Sequence, residues 1–224
     1  MKSEQKRGLA TMAACLAILA TRSAQAKHQP VSLDKLPAAV HQTIKEQSAG
    51  GTVSAVWQES RDGKTAYGSK IKIKGQDKEV VVDSAGAVVE LEEEVPIASL
   101  PEAVRKTVIE QSKGVLVQRI SRETAGGKVT YEAALTIGGL KGHRKEVEID
   151  PSGAVIGIEE QVALATLPPE VRAGILKAAG KGKVLGVELV TKGTTRTYEA
   201  RVETAGQTTE VIVGPDGKPI PGDH

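Results

Sequence analysis

Apolar positions along the chain follow one helical pattern that recurs three times. The pattern lies in segments beginning with Leu-Pro, at residues 36–47, 100–111 and 167–178. The first, fifth and ninth residues of each segment are apolar, which places them on one face of a helix. Proline as the second residue is compatible with the first turn of a helix. The sequence therefore predicts three equivalent amphipathic helices.

A period of two residues follows each predicted helix. A tyrosine stands 31 residues after each first leucine, as Tyr67, Tyr131 and Tyr198. From each tyrosine, every second residue is mainly apolar and the residues between are mainly polar, the apolar columns being 69/133/200, 71/135/202 and 73/137/204. This alternation predicts a strand in an antiparallel sheet with one face covered. The tyrosine column itself is interpreted as a packing anchor.

Further landmarks complete a repeated unit. A Glu-Val pair begins at positions 79, 146 and 210, and a glycine-containing turn follows each pair. Asp62-Gly63 and Gly126-Gly127 are two-residue hairpin signals, and Asp150-Pro151-Ser152-Gly153 has the residues of a type I turn. We predict an α+β fold of tandem repeats, each with one helix packed on a four-stranded antiparallel sheet. The last strand of the third repeat is truncated, because two prolines interrupt KPIPGDH.

The N-terminal segment has the features of a secretory signal peptide. A short basic head precedes the apolar run LATMAACLAILA, and Ala24-Gln25-Ala26 is an A-x-A cleavage pattern. We expect cleavage after Ala26, a periplasmic or secreted protein, and no membrane insertion after cleavage. A lipoprotein anchor at Cys15 is an alternative. The predicted division is a signal peptide at 1–26 and repeats at 27–97, 98–164 and 165–224.

Removal of the signal peptide changes the charge and the thiol content. Four of the 30 basic and one of the 28 acidic residues are lost, which leaves 26 basic against 27 acidic residues. The basic balance of the full chain therefore gives no support for nucleic-acid binding, and we predict no such partner. Cys15 is the only cysteine, so the mature chain has no disulfide and no thiolate metal site.

The repeated motifs resemble those of a known family. The second repeat, LPEAVRKTVIEQ…TYEAALTI…KEVEIDPSGAVI, is the closest match, whereas the third has Gly214 in place of the aspartate. The chain resembles the PepSY and PepSY-like (β-lactamase-inhibitor-like) exported domains over nearly all of residues 33–220. The resemblance implies non-enzymatic modules that bind or inhibit extracytoplasmic hydrolases.

Catalytic and metal-binding signals are weak in this sequence. His41 and His143 do not pair with a serine or carboxylate at a recognised motif spacing, and there is no G-x-S-x-G, H-E-x-x-H or Walker motif. The acidic run 90–94, ELEEE, lacks the pattern of a calcium loop. We interpret this run as a solvated strand end, and we predict neither an enzyme nor a cofactor.

Features that differ among the repeats are the candidates for function. Trp57, the only tryptophan, occupies a column with Ser121 and Glu188, so we expect it to face solvent as an interface anchor. Local packing against the next repeat is the alternative. The hairpin tip with Asp62 is a second candidate, as an inhibitory loop. The loop inserted at 138–146 is a third, because its cationic side chains are expected to crowd one tip and attract an acidic surface: Lys141, His143, Arg144 and Lys145.

These candidates favour protein recognition. The expected partner is an extracytoplasmic protein, a peptidase or other hydrolase, that docks on the open sheet faces and hairpin tips. A sensor of a small ligand, a metal or an envelope polymer is the alternative function. A structural spacer is a third, and it predicts that Trp57→Ala is tolerated.

Overall fold

The computed structural model describes residues 29–61, 63–113, 115–138 and 142–220. The predicted signal peptide and the site candidates Asp62 and Lys141 lie outside these residues. Within these residues, twelve strands form one antiparallel sheet in chain order: β1 Gln29–Pro30, β2 Gly51–Arg61, β3 Lys64–Ile73, β4 Gln76–Asp83, β5 Val88–Glu94, β6 Leu116–Ala125, β7 Lys128–Ile137, β8 His143–Ile149, β9 Val155–Val162, β10 Lys183–Lys192, β11 Thr195–Thr204 and β12 Gln207–Val213.

The three predicted helices are confirmed as α1 Ala38–Gln47, α2 Glu102–Gln111 and α3 Pro169–Ala179. The proline of each Leu-Pro pair stands one residue earlier than expected, as the extended N-cap residue: Pro37, Pro101 and Pro168. The backbone before a helix is extended at this position, and the fixed φ of proline fits it.

Each helix buries its predicted stripe in a separate core. The first, fifth and ninth positions of each segment are buried: Leu36, Val40, Ile44, Leu100, Val104, Val108, Leu167, Val171 and Ile175. Strand residues of the same repeat complete each cluster, such as Val80 and Val82 in the first repeat and Val147 and Ile149 in the second. Tyr131 belongs to its core cluster, and Tyr67 and Tyr198 pack against theirs, which confirms the tyrosine column as structural.

The repeats do not form separate four-stranded sheets, which corrects the predicted architecture. Strands β2–β5 and β6–β9 belong to the first two repeats, but β5 pairs with β6 and β9 pairs with β10, so the sheet is continuous. This pairing occupies the backbone groups that an isolated sheet would leave exposed at its edge. The third repeat contributes β10–β12. After Val213 the described chain makes only an isolated bridge to Pro219.

α1 and α2 each lie directly on the glycine of a turn between two strands, and α3 lies on Gly217 in the turn after β12. In the second repeat, Asp150 Oδ1 accepts hydrogen bonds from the backbone N–H of Ser152 and Ala154, and Thr107 Oγ1 donates to the carbonyl of Gly153 over 2.6 Å. Gly153 has φ +87°, and a Cβ there would lie 2.8 Å from the carbonyl oxygen of Ala103. The turn therefore needs glycine both for its backbone conformation and for its contact with α2.

Replacing Gly153 with alanine tests this helix contact. Gly127 at a hairpin tip also has positive φ, but a Cβ at Gly127 would have no other atom within 4 Å. Gly127→Ala is therefore expected to show only the backbone cost of about 1–2 kcal/mol. Gly153→Ala should lose a further 1–3 kcal/mol, roughly, from overpacking. Urea unfolding of both variants measures the difference, and equal losses would contradict the helix contact.

Candidate functional site

The two faces of the sheet have different environments. All three helices pack on one face of the sheet. At the first junction between repeats, Leu91 packs against the first core and stands directly opposite Thr124, so both side chains lie on the same face. At the second junction, Ile158 of the second core stands opposite Thr191 in the same way. Successive side chains of a strand point to opposite faces. The residues between the core positions therefore form a second face, on which none of the described helices packs. We call it the open face.

The open face is rich in carboxylates. Alternation and strand register place glutamates on it from β4 to β12: Glu79, Glu90, Glu92, Glu94, Glu123, Glu132, Glu146, Glu148, Glu159, Glu188, Glu199 and Glu210. Basic side chains lie among them, such as Arg119, which is 3.2 Å from Glu92 Oε1. The sequence carries this signal as glutamates at a period of two, but the strand register is needed to assign those positions to one face.

Trp57 lies on the open face but is buried, so the prediction that it faces solvent is wrong. The residue is 5% exposed, and its Nε1 donates to Glu59 Oε2 over 2.7 Å. The indole covers Gly68 of the neighbouring strand, where a Cβ would come within 2.2 Å of the ring. The absence of a side chain at Gly68 makes room for the ring. Trp57 therefore packs within its own repeat, and its role as an interface anchor stays untested.

The acidic run 90–94 ends a strand as predicted, but its residues are half-buried or buried rather than solvated, which corrects that part of the interpretation. It lies in β5, at the junction between the first and second repeats. Leu91 packs against the first core, and Glu92 is buried on the open face. Glu90 contacts Arg61, and Glu93 contacts Arg122 of β6. The run therefore joins the two repeats through ion pairs and backbone pairing.

The described cations of the inserted loop, from His143 onwards, do not gather at one tip. His143, exposed, begins β8, and Arg144 and Lys145 follow in the same strand, where alternation sends them to opposite faces. Arg144 contacts Glu146 on the open face, whereas Lys145 Nζ donates to Gln111 Oε1 at the end of α2 over 3.0 Å. The expected cationic cluster is therefore absent among these described residues. The hairpin residue Arg61, which precedes Asp62 in the chain, likewise forms ion pairs with Glu59 and Glu90.

The second repeat has an acidic recess on the open face where the first repeat has an apolar patch. The aligned columns change from Trp57, Gly68 and Val81 to Ser121, Glu132 and Glu148. We define the acidic recess by the glutamates around Gly157 and by the two β10 residues beside them: Glu132, Glu146, Glu148, Glu159, Val190 and Lys192. Its volume is about 10 Å³. Gly157 stands directly opposite Glu148 on one side and Lys192 on the other.

Glu148 is the most confined carboxylate of the acidic recess. It is 7% exposed, and its Oε2 is buried with no hydrogen-bond partner among the described residues. Burial raises the pKa of Glu148 to about 7, and the negative charges of Glu123 and Glu132 contribute to this rise. Burial and the nearby Glu146 also raise the pKa of Glu159. Glu148 is therefore close to half protonated at neutral pH, and a positive charge in the recess would favour its ionised form.

The chemistry available on the open face is binding of positive charge. In the described part of the chain, no three His, Cys, Asp or Glu side chains are grouped so that they could hold a metal ion. A buried carboxylate without a donor favours a ligand that supplies both a positive charge and N–H groups. Ammonium and guanidinium groups of proteins have this character.

Comparison with known families gives three matches along the chain. The family described as "Putative beta-lactamase-inhibitor-like, PepSY-like" matches residues 22–90, 74–138 and 129–218. The three matched regions agree with the tandem repeats predicted from the sequence. They overlap, so the predicted boundaries at 97 and 164 are not tested by them.

Several solved structures of low sequence identity are similar to about half of this chain. A structure described as "putative periplasmic proteins" from Bacteroides eggerthii is 15% identical, covering 56% of this chain and 88% of that one, with a TM-score of 0.45. A BLIP-like protein from Bacteroides fragilis is 17% identical, covering 56% and 86%, with a TM-score of 0.42. A "putative calcium-regulated periplasmic protein" from Bacteroides thetaiotaomicron is 23% identical, covering 58% and 95%, with a TM-score of 0.33.

Two further comparisons are negative. No curated protein matches this chain. Among the residues that the structure describes, no helix is both long enough and apolar enough to span a membrane.

Proposed function

The chain belongs to the beta-lactamase-inhibitor-like, PepSY-like family, and on that premise we propose that it is an exported, non-enzymatic protein-binding module. Its partner is an extracytoplasmic protein, a peptidase or other hydrolase, which it inhibits or regulates by docking. Export is supported by the basic head, the apolar run and the A-x-A pattern of residues 1–26.

The observation behind this proposal is the open face. It spans strands of all three repeats, no described helix packs on it, and glutamates recur along it. A surface of this charge favours a partner with lysine and arginine at its contact surface, because complementary potentials speed association and exclude acidic partners. In this mechanism the bound module blocks access to the hydrolase, and none of its residues takes part in bond making or breaking.

The contact residues differ from those expected from the sequence. Trp57 is buried within the first repeat, and Arg144 and Lys145 are separated by the sheet. The docking surface that we propose therefore consists of open-face carboxylates, among them Glu199 and the exposed Glu210 of the third repeat. The candidate contact roles of Asp62, Lys141 and His143 stay predictions.

Capture from an extracytoplasmic extract tests this proposal. Mature protein, residues 27–224, is immobilised, and captured hydrolases are identified by mass spectrometry and assayed with and without the module. Glu199→Lys with Glu210→Lys reverses two charges on the open face. Glu46→Lys with Glu110→Lys makes the same change on exposed positions of α1 and α2.

We expect a hydrolase that the native module captures and inhibits. The open-face variant should lose it, and the helix variant should keep it, because only the first changes the docking surface. Equal capture by both variants, or no capture at any salt concentration, would contradict the proposal. A melting shift with a small ligand or metal, without protein capture, would support the alternative sensor function.

A further inference from the structure

We infer that the acidic recess of the second repeat is a binding site for a primary ammonium group, supplied by a lysine side chain of the partner. The inference rests on the proposed function, since it assigns one contact of the docking surface. It concerns Glu132, Glu148 and Glu159 around Gly157.

Glu148 has an unsatisfied side-chain oxygen. Its Oε2 is buried and has no hydrogen-bond partner among the described residues, although the side chain lines the recess. A buried carboxylate without a donor is costly, and a charged donor compensates for this better than a neutral one. An ammonium group brings three N–H donors and a positive charge.

The three repeats differ at the position of Glu148. The column of Glu148 has Val81 in the first repeat and Ile212 in the third. The fold therefore accepts an apolar residue at this strand position, and no packing requirement explains a carboxylate there. In the first repeat the indole of Trp57 fills the open face over Gly68, whereas the corresponding column in the second repeat has the smaller Ser121.

The size of the acidic recess favours an ammonium group. A volume of about 10 Å³ is close to the smallest that admits one water-sized group. An ammonium group has that size, whereas a guanidinium is a wider planar fork. Gly157 provides the room, since a side chain at this position would project into the recess between Glu148 and Lys192. The recess should therefore prefer lysine to arginine.

The charges around Glu148 are mainly negative. Glu132 faces it from β7, Glu123 from β6, Glu159 from β9 and Glu146 from its own strand, and Lys192 faces it from β10. Arg119 lies 3.6 Å from Glu132 Oε1, and Arg144 contacts Glu146. Lys192 is the cation of the recess lining, so an incoming ammonium would compete with it for Glu148. Lys192→Met should tighten binding by removing this competitor.

The test uses the mature chain, residues 27–224, and small compounds of known charge. N-acetyl-lysine amide is titrated at pH 8 while the backbone amide signals of Glu148, Gly157 and Lys192 are followed by NMR. N-acetyl-arginine amide and N-acetyl-norleucine amide are the matched controls. Glu148→Val removes the carboxylate and introduces the residue of the first repeat, and Gly157→Ala narrows the recess without changing its charge. Glu110→Gln on α2 is the control for loss of one carboxylate.

We expect saturable shifts with the lysine compound, at least about tenfold weaker binding of the arginine compound, and none with norleucine. Both recess variants should lose the response, and Glu110→Gln should keep it. Shifts with calcium chloride but not with the lysine compound would overturn the inference in favour of a metal site. Absence of any saturable shift, or equal binding of lysine and arginine compounds, would also overturn it.

The two proposals can fail separately. If the lysine compound does not bind but the open face still captures a hydrolase, the ammonium site is wrong and the proposed function stands. If the compound binds to native protein and no hydrolase is captured, the ammonium site stands and the proposed function is wrong. Capture that is lost with Glu148→Val and tightened with Lys192→Met would support both.

Discussion

Replacing Trp57 with alanine is expected to lower the free energy of unfolding by about 3–5 kcal/mol. The indole is buried and covers Gly68, so its removal leaves a cavity on the open face of the first repeat. The change also removes the N–H that donates to the buried carboxylate of Glu59. If Trp57 were an exposed interface anchor, the substitution would change the free energy of unfolding very little. The spacer function, which predicts that this substitution is tolerated, also implies almost no change.

Urea unfolding of two companion variants separates the causes. Trp57→Phe keeps most of the ring and removes the donor, and it should cost about 1–3 kcal/mol. Leu116→Ala truncates an apolar residue that is 47% exposed, and it should change stability by no more than about 0.5 kcal/mol. A loss for Trp57→Ala as small as that for Leu116→Ala would show that Trp57 does not support the fold.

Replacing Glu148 with valine is expected to raise the free energy of unfolding at pH 8 by about 3 kcal/mol. The pKa of Glu148 in the folded protein is raised to about 7, from 4.5. Between these two values the folded chain holds a proton that the unfolded chain has released. Stability of the native protein therefore falls as the pH rises from 4.5 to about 7 and stays low above it. Valine removes this loss.

The pH dependence provides the measurement. Urea unfolding at about pH 5 and pH 8 should show a clear loss of stability for native protein and a smaller loss for Glu148→Val. A residual slope is expected, because the pKa of Glu210 is raised to about 7 and the pKa of Glu159 is also raised. Glu110→Val, at an exposed helical position, should keep the native slope. If the stability of Glu148→Val depends on pH as strongly as that of native protein, burial does not raise the pKa of Glu148.

This stability cost is relevant to the proposed binding site. Val81 and Ile212 show that the fold accepts an apolar residue at the column of Glu148, and the gain expected for Glu148→Val makes valine the more stable choice there. Residues that bind or react commonly cost stability that an apolar replacement would recover. The same variant should therefore be more stable and unable to bind the lysine compound, a combination that a purely structural carboxylate would not produce.

Much of the fold was predictable from the sequence. The helix stripe at positions such as Val104 and Val108, the alternation after Tyr131 and the turn ending at Gly153 depend on neighbours within a few residues, so local periodicity determines them. Because the sequence contains three copies of the repeat, the residues at equivalent positions could be compared with one another. The family also followed from these short motifs.

The open face and its recess could not be predicted in the same way. Their residues come from strands that meet only through register: Glu132 of β7, Glu148 of β8, Gly157 of β9 and Lys192 of β10 form one row across the sheet. The burial of Trp57 depended on Gly68 of the next strand. The sequence by itself determined the repeats, the helices and the direction of each strand's apolar face. Only the tertiary structure decided which polar side chains meet, because cross-strand neighbours are set by backbone pairing between positions far apart in the chain.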